Sequence, residues 1–110
     1  MAKYAVVDIY CDAKGGNRAY SKPDKIFTSI KDARLHAKKK YTPQHGAGWI
    51  VQIFSDGAEV LGQVWNLRGV WMFEKKPKDT LFVLKSDGSL GAEVNWKKLN
   101  ENPRYYQKMM

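Results

Sequence analysis

The sequence predicts a single α+β domain in which one helix packs on a mainly antiparallel meander sheet, in the order β-β-α-β-β-β-β-β. Two observations lead to this class. The pair Asp-Gly occurs at residues 56–57 and 87–88, each time between two apolar segments of strand length, which is the pattern of a β-hairpin. Residues 30–41 carry apolar side chains at the three- and four-residue spacing of an amphipathic helix. We expect residues 1–110 to form one domain, with residues 97–110 as a mobile tail.

The first strand is predicted at residues 4–11, where side chains alternate between two faces. Gly15-Gly16-Asn17 is favourable turn chemistry. Such a turn would bring residues 18–21 back onto the first strand before Pro23 ends the pairing. Residues 25–28 are expected to form the second, short strand.

The helix is predicted to begin after Ser29, a favoured N-cap residue, with Asp32 three residues later as in a capping box. Three lysines at residues 38–40 lie at the negative end of the helix dipole, and Pro43 ends the helix. The buried stripe of this helix is predicted to consist of Ile30, Ala33, Ala37 and Tyr41.

Residues 49–65 are predicted to form the central hairpin. A type I′ turn at Asp56-Gly57 would close it, because this pair tolerates the positive φ angles that the turn requires. The resulting register gives one nearly all-apolar face, which is expected to receive the helix. This face consists of Trp49, Val51, Ile53, Val60 and Val64. The opposite face is mixed and is expected to expose a patch of Phe54, Leu61 and Trp65.

Three further strands complete the predicted meander. A turn at residues 66–69 precedes a strand at residues 70–75. Residues 80–85 and 90–96 then form a hairpin around Asp87-Gly88.

The net charge of +8 is the unusual feature of the composition. Residues 1–47 carry ten lysines and arginines against four acidic residues, whereas residues 48–110 carry nine against seven. A positive field of this kind favours DNA or RNA as the partner. Basic side chains on one flank of the helix would reach phosphates, although their aliphatic stems would equally cover the edge of the core. The predicted nucleic-acid contacts are Lys14, Arg18, Lys31, Arg34, Lys38, Lys39 and Lys40.

A protein-interaction module is the alternative. Fourteen aromatic residues are many for this length, so some are expected at the surface. The patch of Phe54, Leu61 and Trp65, or a free edge strand, would then bind another protein or a second copy of the chain as a homodimer.

Little in the sequence argues for an enzyme, a cofactor or a metal. Cys11 is the single cysteine and there are two histidines, so no zinc-ligand pattern exists. The motifs of nucleotide-binding loops, hydrolases and redox dithiols are missing. Asp8, between Tyr4 and Tyr10, is expected to hydrogen-bond to a tyrosine. No segment approaches the ~20 apolar residues of a membrane span, and a signal-peptide core is missing, so we expect a cytoplasmic protein without a membrane partner.

Overall fold

The computed structural model describes residues 1–11, 17–19, 23, 25–42, 46–75, 80–102 and 104–106 of the 110-residue chain. The strands are β1 (Lys3–Cys11), β2 (Asn17–Ala19), β3 (Ile26–Phe27), β4 (Ala47–Phe54), β5 (Gly57–Leu67), β6 (Val70–Lys75), β7 (Thr80–Leu84) and β8 (Leu90–Glu93). The helices are α1 (Ile30–Lys40) and α2 (Trp96–Glu101).

The strands form one antiparallel sheet. Its order is β2-β1-β4-β5-β6-β7-β8, and β3 also pairs with β1. From β4 to β8 the chain runs as a meander, so the predicted α+β class is confirmed. Two elements extend the predicted order. The strand β2 pairs with the end of β1, with Ile9 opposite Ala19, which confirms the predicted return of the chain onto the first strand. The helix α2 follows the last strand.

The helix α1 occupies the predicted segment. Ser29 is the N-cap residue in an extended conformation, but its side chain makes no capping hydrogen bond. The predicted capping box is therefore wrong, and the backbone carbonyl of Ser29 starts the helix by accepting from the N–H of Ala33 at 3.1 Å. Ala33 and Ala37 are fully buried, and their small side chains allow α1 to lie close to the sheet.

The sheet carries a hydrophobic core on each side, because consecutive strand residues point in opposite directions. Met72 and Phe73, for example, are adjacent in β6 but belong to different cores. The first core joins α1 to the sheet through Val6, Ala33, Ala37, Tyr41, Ile50, Val64, Phe73 and Leu84. The second core joins α2 and the turn after it to β6 and β7 through Val70, Met72, Leu81, Val83, Val94, Leu99 and Tyr106.

The segment around α2 is held by its own hydrogen bonds as well as by the second core. The side chain of Asn95 caps α2 by accepting from the backbone N–H groups of Lys97 and Lys98. The backbone N–H of Asn95 in turn donates to the hydroxyl of Tyr106. Residues 103 and 107–110 lie outside the described part, and the predicted mobility of residues 97–110 stays a prediction.

The predicted register of the central hairpin is wrong. Phe54 pairs with Gly57, so residues 55–56 form the turn. Neither turn residue has a positive φ angle, and the turn is therefore not of type I′. The type I′ combination occurs in the next turn instead, where Arg68 and Gly69 have φ angles of 53° and 89°.

The helix consequently packs on the face of β4 opposite to the predicted one. Ile50 and Val64 belong to the core beneath α1. Trp49, Val51 and Ile53 alternate with Ile50 along β4 and lie on the far side of the sheet. The prediction was correct for Val64 and wrong for these three residues.

Two glycines on the α1 side of the sheet explain this choice of face. A Cβ atom at Gly48 would overlap the ring of Tyr41, and a Cβ atom at Gly62 would overlap the ring of Phe73. Hydrophobic alternation favours the other face of β4, because the face with Ile50 also carries Gln52. The room that the two glycines leave for aromatic rings outweighs that preference.

Candidate functional site

Lysines on α1 and on the loop after β7 form a basic surface around Asp87. Lys31 and Lys39 are exposed and Lys38 is half-buried. Lys85 follows β7, is exposed, and lies close enough to influence the same carboxylate as Lys31. We refer to Lys31, Lys38, Lys39 and Lys85 as the basic ridge. Sequence reasoning missed Lys85, because its proximity to α1 follows from the packing of a distant loop.

That loop packs directly against α1. A Cβ atom at Gly88 would lie 2.8 Å from the backbone oxygen of Lys31 and 2.9 Å from Cγ of Leu35. The contact places Asp87 beside the basic ridge. Hydrogen bonds from Ser89, first from its side chain and then from its backbone, hold the pKa of the Asp87 carboxyl below its ordinary value, and Lys31 and Lys85 act in the same direction.

Lys38 is influenced by the same carboxylate. Partial burial lowers the pKa of its ammonium group, and the negative charge of Asp87 opposes that effect. Asp87 is thus an acidic group within an otherwise cationic surface, and it reduces the positive potential of the basic ridge.

Arg34 does not share this surface. Its guanidinium carbon lies 4.6 Å from the centroid of the Phe73 ring, in a cation–π arrangement. Its Nε is buried and has no hydrogen-bond partner among the described residues. Burial also lowers the pKa of the guanidinium. Arg34 is therefore half-buried against Phe73, whereas Lys31 and Lys39 are exposed.

Lys40 is engaged in an ion pair. Its Nζ lies 2.9 Å from Oδ1 of Asp8. The hydroxyl of Tyr41 donates to the same oxygen at 2.8 Å. Asp8 is thus hydrogen-bonded to a tyrosine, as the sequence predicted, although the partner is Tyr41 on the helix and not a tyrosine of β1.

Two predicted contacts lie in the N-terminal loop region. Lys14 is outside the described residues. Arg18 is in β2 and pairs with Tyr10 of β1, but its side chain is also outside the description. The predicted nucleic-acid set is thereby divided: Lys31 and Lys38 both lie near Asp87, Lys39 is exposed next to Lys38, and Arg34 and Lys40 have intramolecular partners.

The three residues predicted for protein interaction do not form one patch. Phe54 is 46% exposed at the end of β4. Leu61 packs against the first core and Trp65 against the second, on opposite sides of the sheet. The pairing of β4 with β5 is irregular at Leu61. Val51 pairs with Val60 and Ile50 with Gly62, so Leu61 is an extra residue in β5 and simple alternation fails there.

The side of the sheet opposite α1 presents a different apolar surface on β1 and β4. Val7 pairs with Trp49, and both are half-buried, as is Ile53. Ala5 and Val51 pair beside them and are buried. We call these five residues the β1–β4 apolar face. Neither described helix packs on it, because α1 lies on the other side of the sheet and α2 packs over β6 and β7.

The described residues contain no group of three or more histidine, cysteine, aspartate or glutamate side chains that could hold a metal ion. Neither described helix is long and apolar enough to cross a lipid bilayer. No family model matches the sequence, and no curated protein or solved structure matches the chain.

Proposed function

We propose that this chain is a small, non-enzymatic, cytoplasmic module that binds DNA or RNA through backbone phosphates. The observation that carries the proposal is the basic ridge, where Lys31 and Lys38 of α1 and Lys85 of a neighbouring loop all lie near Asp87. Lys39 is exposed next to Lys38 on the same helix. The net charge of +8 adds a long-range attraction for polyanions.

The chemistry of the ridge favours binding without sequence preference. Lysine ammonium groups are flexible point charges that suit phosphate oxygens. Arg34, which has the planar fork best suited to reading a base edge, packs on Phe73 instead. If the four lysines contact four phosphates, the logarithm of the association constant should fall linearly with the logarithm of the salt concentration. The expected slope is about −3.6 on duplex DNA and about −2.8 on a single strand.

Fluorescence anisotropy with mixed-sequence oligonucleotides tests the proposal between about 50 and 200 mM salt. The test variant replaces Lys31, Lys38 and Lys39 with Gln. Its matched control replaces Lys3, Lys97 and Arg104, three exposed cations away from α1, and removes the same charge. We expect the test variant to lose about tenfold or more in affinity and about two to three units of salt slope, and the control to lose much less. Equal losses in both variants, or no binding by the wild type at low salt, would contradict the proposal.

Self-association is a second candidate function, favoured by the β1–β4 apolar face, on which Val7, Trp49 and Ile53 are partly accessible. Its five side chains are uncharged and apolar, so two copies of a chain with a net charge of +8 can meet there without bringing like charges together. A homodimer of this kind would persist at high salt, because apolar contacts are not screened. Sedimentation velocity at low and high salt tests it, with Trp49→Gln expected to be monomeric and the exposed Phe54→Gln expected to behave as the wild type. A wild type that is monomeric throughout rejects it.

A further inference from the structure

A cavity of about 260 Å³ lies between the first half of α1 and strands β5 and β6. Its lining combines four apolar residues with three charged ones. The lining residues are Ile30, Arg34, Glu59, Val60, Leu61, Phe73 and Lys75. None of the four lysines of the basic ridge lines it.

Among the residues that line this cavity, Arg34 has a hydrogen-bond donor without an acceptor in the described part of the chain. Its guanidinium is stacked on Phe73 with 4.6 Å between Cζ and the ring centroid. Its Nε is buried without an acceptor among the described residues, whereas buried polar atoms in folded proteins are nearly always hydrogen-bonded. A guanidinium that is held by an aromatic ring presents its N–H groups in a fixed plane, which suits an anion with matching geometry.

The remaining lining limits what that anion can be. Arg34 and Lys75 against Glu59 leave one net positive charge. A ligand group with one negative charge neutralises this net charge. A phosphate dianion carries a second negative charge, and Glu59 repels it more strongly. The apolar walls require an apolar body on the ligand. The volume is below the ~300–1,000 Å³ of sites for drug-sized molecules, so the body is small.

We propose that this cavity binds a small organic monocarboxylate, whose carboxylate pairs with Arg34 and whose apolar body lies against Leu61 and Phe73. A carboxylate can accept two parallel hydrogen bonds from a guanidinium. The proposal is separate from nucleic-acid binding, because the two sites share no residue.

NMR spectroscopy of the arginine Nε–H groups, together with calorimetry, tests the proposal with benzoate and hexanoate as probes. We expect benzoate to shift the Arg34 Nε–H signal and to bind with a Kd on the order of 1 mM, as suits a ligand of few atoms. Benzamide, which has the same shape without the charge, and inorganic phosphate, which lacks the apolar body, should leave that signal unchanged. No shift with either carboxylate, or an equal shift with benzamide, overturns the proposal.

Two variants examine the roles of the charged lining. Arg34→Lys keeps the charge but loses the planar fork, and should weaken benzoate binding about tenfold. Glu59→Gln removes the opposing charge and should tighten binding about threefold. Lys39→Gln, outside the cavity, serves as the control and should bind benzoate as the wild type does. Unchanged affinity in both Arg34→Lys and Glu59→Gln would show that the carboxylate binds elsewhere, and would reject the site.

Discussion

Tyr41 and Asp8 are separated by 33 residues, yet the hydroxyl of Tyr41 donates to Oδ1 of Asp8 at 2.8 Å. This bond ties the end of α1 to β1 at the point where the ring of Tyr41 lies on Gly48. Lys40 pairs with the same carboxylate oxygen. One acidic residue of the first strand thus positions the last turn of the helix that carries the basic ridge.

The first prediction concerns this link. Tyr41→Phe keeps the ring on Gly48 but removes a donor to an ionised acceptor, so we expect a loss of about 1–2 kcal/mol in the free energy of unfolding. Urea denaturation measures it. Lys40→Gln is the control, and should cost about 1 kcal/mol or less because its ion pair is partly exposed. A larger loss in Lys40→Gln than in Tyr41→Phe would show that the ion pair, and not the hydrogen bond, holds the helix end.

The second prediction concerns the unpartnered nitrogen of Arg34. Arg34→Met keeps an unbranched side chain against Phe73. It removes the buried Nε, which has no acceptor among the described residues. We expect the free energy of unfolding to be unchanged or to rise by up to about 2 kcal/mol. Arg34→Ala should be about 1 kcal/mol less stable, because it loses the packing on the ring. If Arg34→Met were strongly destabilised in urea unfolding, the guanidinium would contribute to folding and would not be kept for a ligand.

The third prediction concerns α2. Leu99 is 4% exposed in the second core, so Leu99→Ala should lower the free energy of unfolding by about 2–4 kcal/mol. Lys97→Ala, at an exposed position of the same helix, should change it by about 0.5 kcal/mol or less. Thermal and urea unfolding provide the measurement. Equal stability of the two variants would mean that the second core does not depend on α2.

The fourth prediction concerns the titration of Asp87. Its pKa is depressed chiefly by the Ser89 hydroxyl, so the folded form binds a proton less readily than the unfolded form. The resulting stabilisation is present above the ordinary carboxyl pKa of about 3.9 and is lost as the pH falls through the lower folded value. Ser89→Ala should raise the Asp87 pKa toward its ordinary value in an NMR titration of the carboxyl carbon. An unchanged pKa would assign the shift to the backbone N–H of residue 89, which this variant keeps, and to the neighbouring lysines.

The fifth prediction connects Asp87 to the proposed function. Asp87→Asn removes the acidic group beside the basic ridge, and should raise the affinity for an oligonucleotide about two- to fivefold at low salt. The charge-matched control is Glu101→Gln, at an exposed position on α2, which should have a smaller effect. Anisotropy titrations compare the two. Equal gains would show that net charge, and not the ridge, determines binding.

Part of the candidate site was predictable from the sequence. Helical spacing places Lys31 and Lys38 on one flank of α1, and the structure keeps both beside the same surface loop. The sequence could not indicate that Arg34, on the same flank, turns onto Phe73, because that contact joins residues 39 positions apart. It also could not indicate that Lys85 joins the ridge or that Glu59 and Lys75 share a cavity with Arg34, since these residues meet only through sheet packing.

The sequence by itself determined the class of the fold, the position of α1 and the meander of strands, because helical spacing, strand alternation and turn residues are local properties. The tertiary structure alone decided which face of β4 meets α1. Alternation favours the face of Trp49, Val51 and Ile53, whereas the fit of Tyr41 and Phe73 onto Gly48 and Gly62 selects the other face. It likewise decided which cations are free to face solvent. Arg34 packs on the ring of Phe73 and Lys40 pairs with Asp8, and both partners are distant in the sequence.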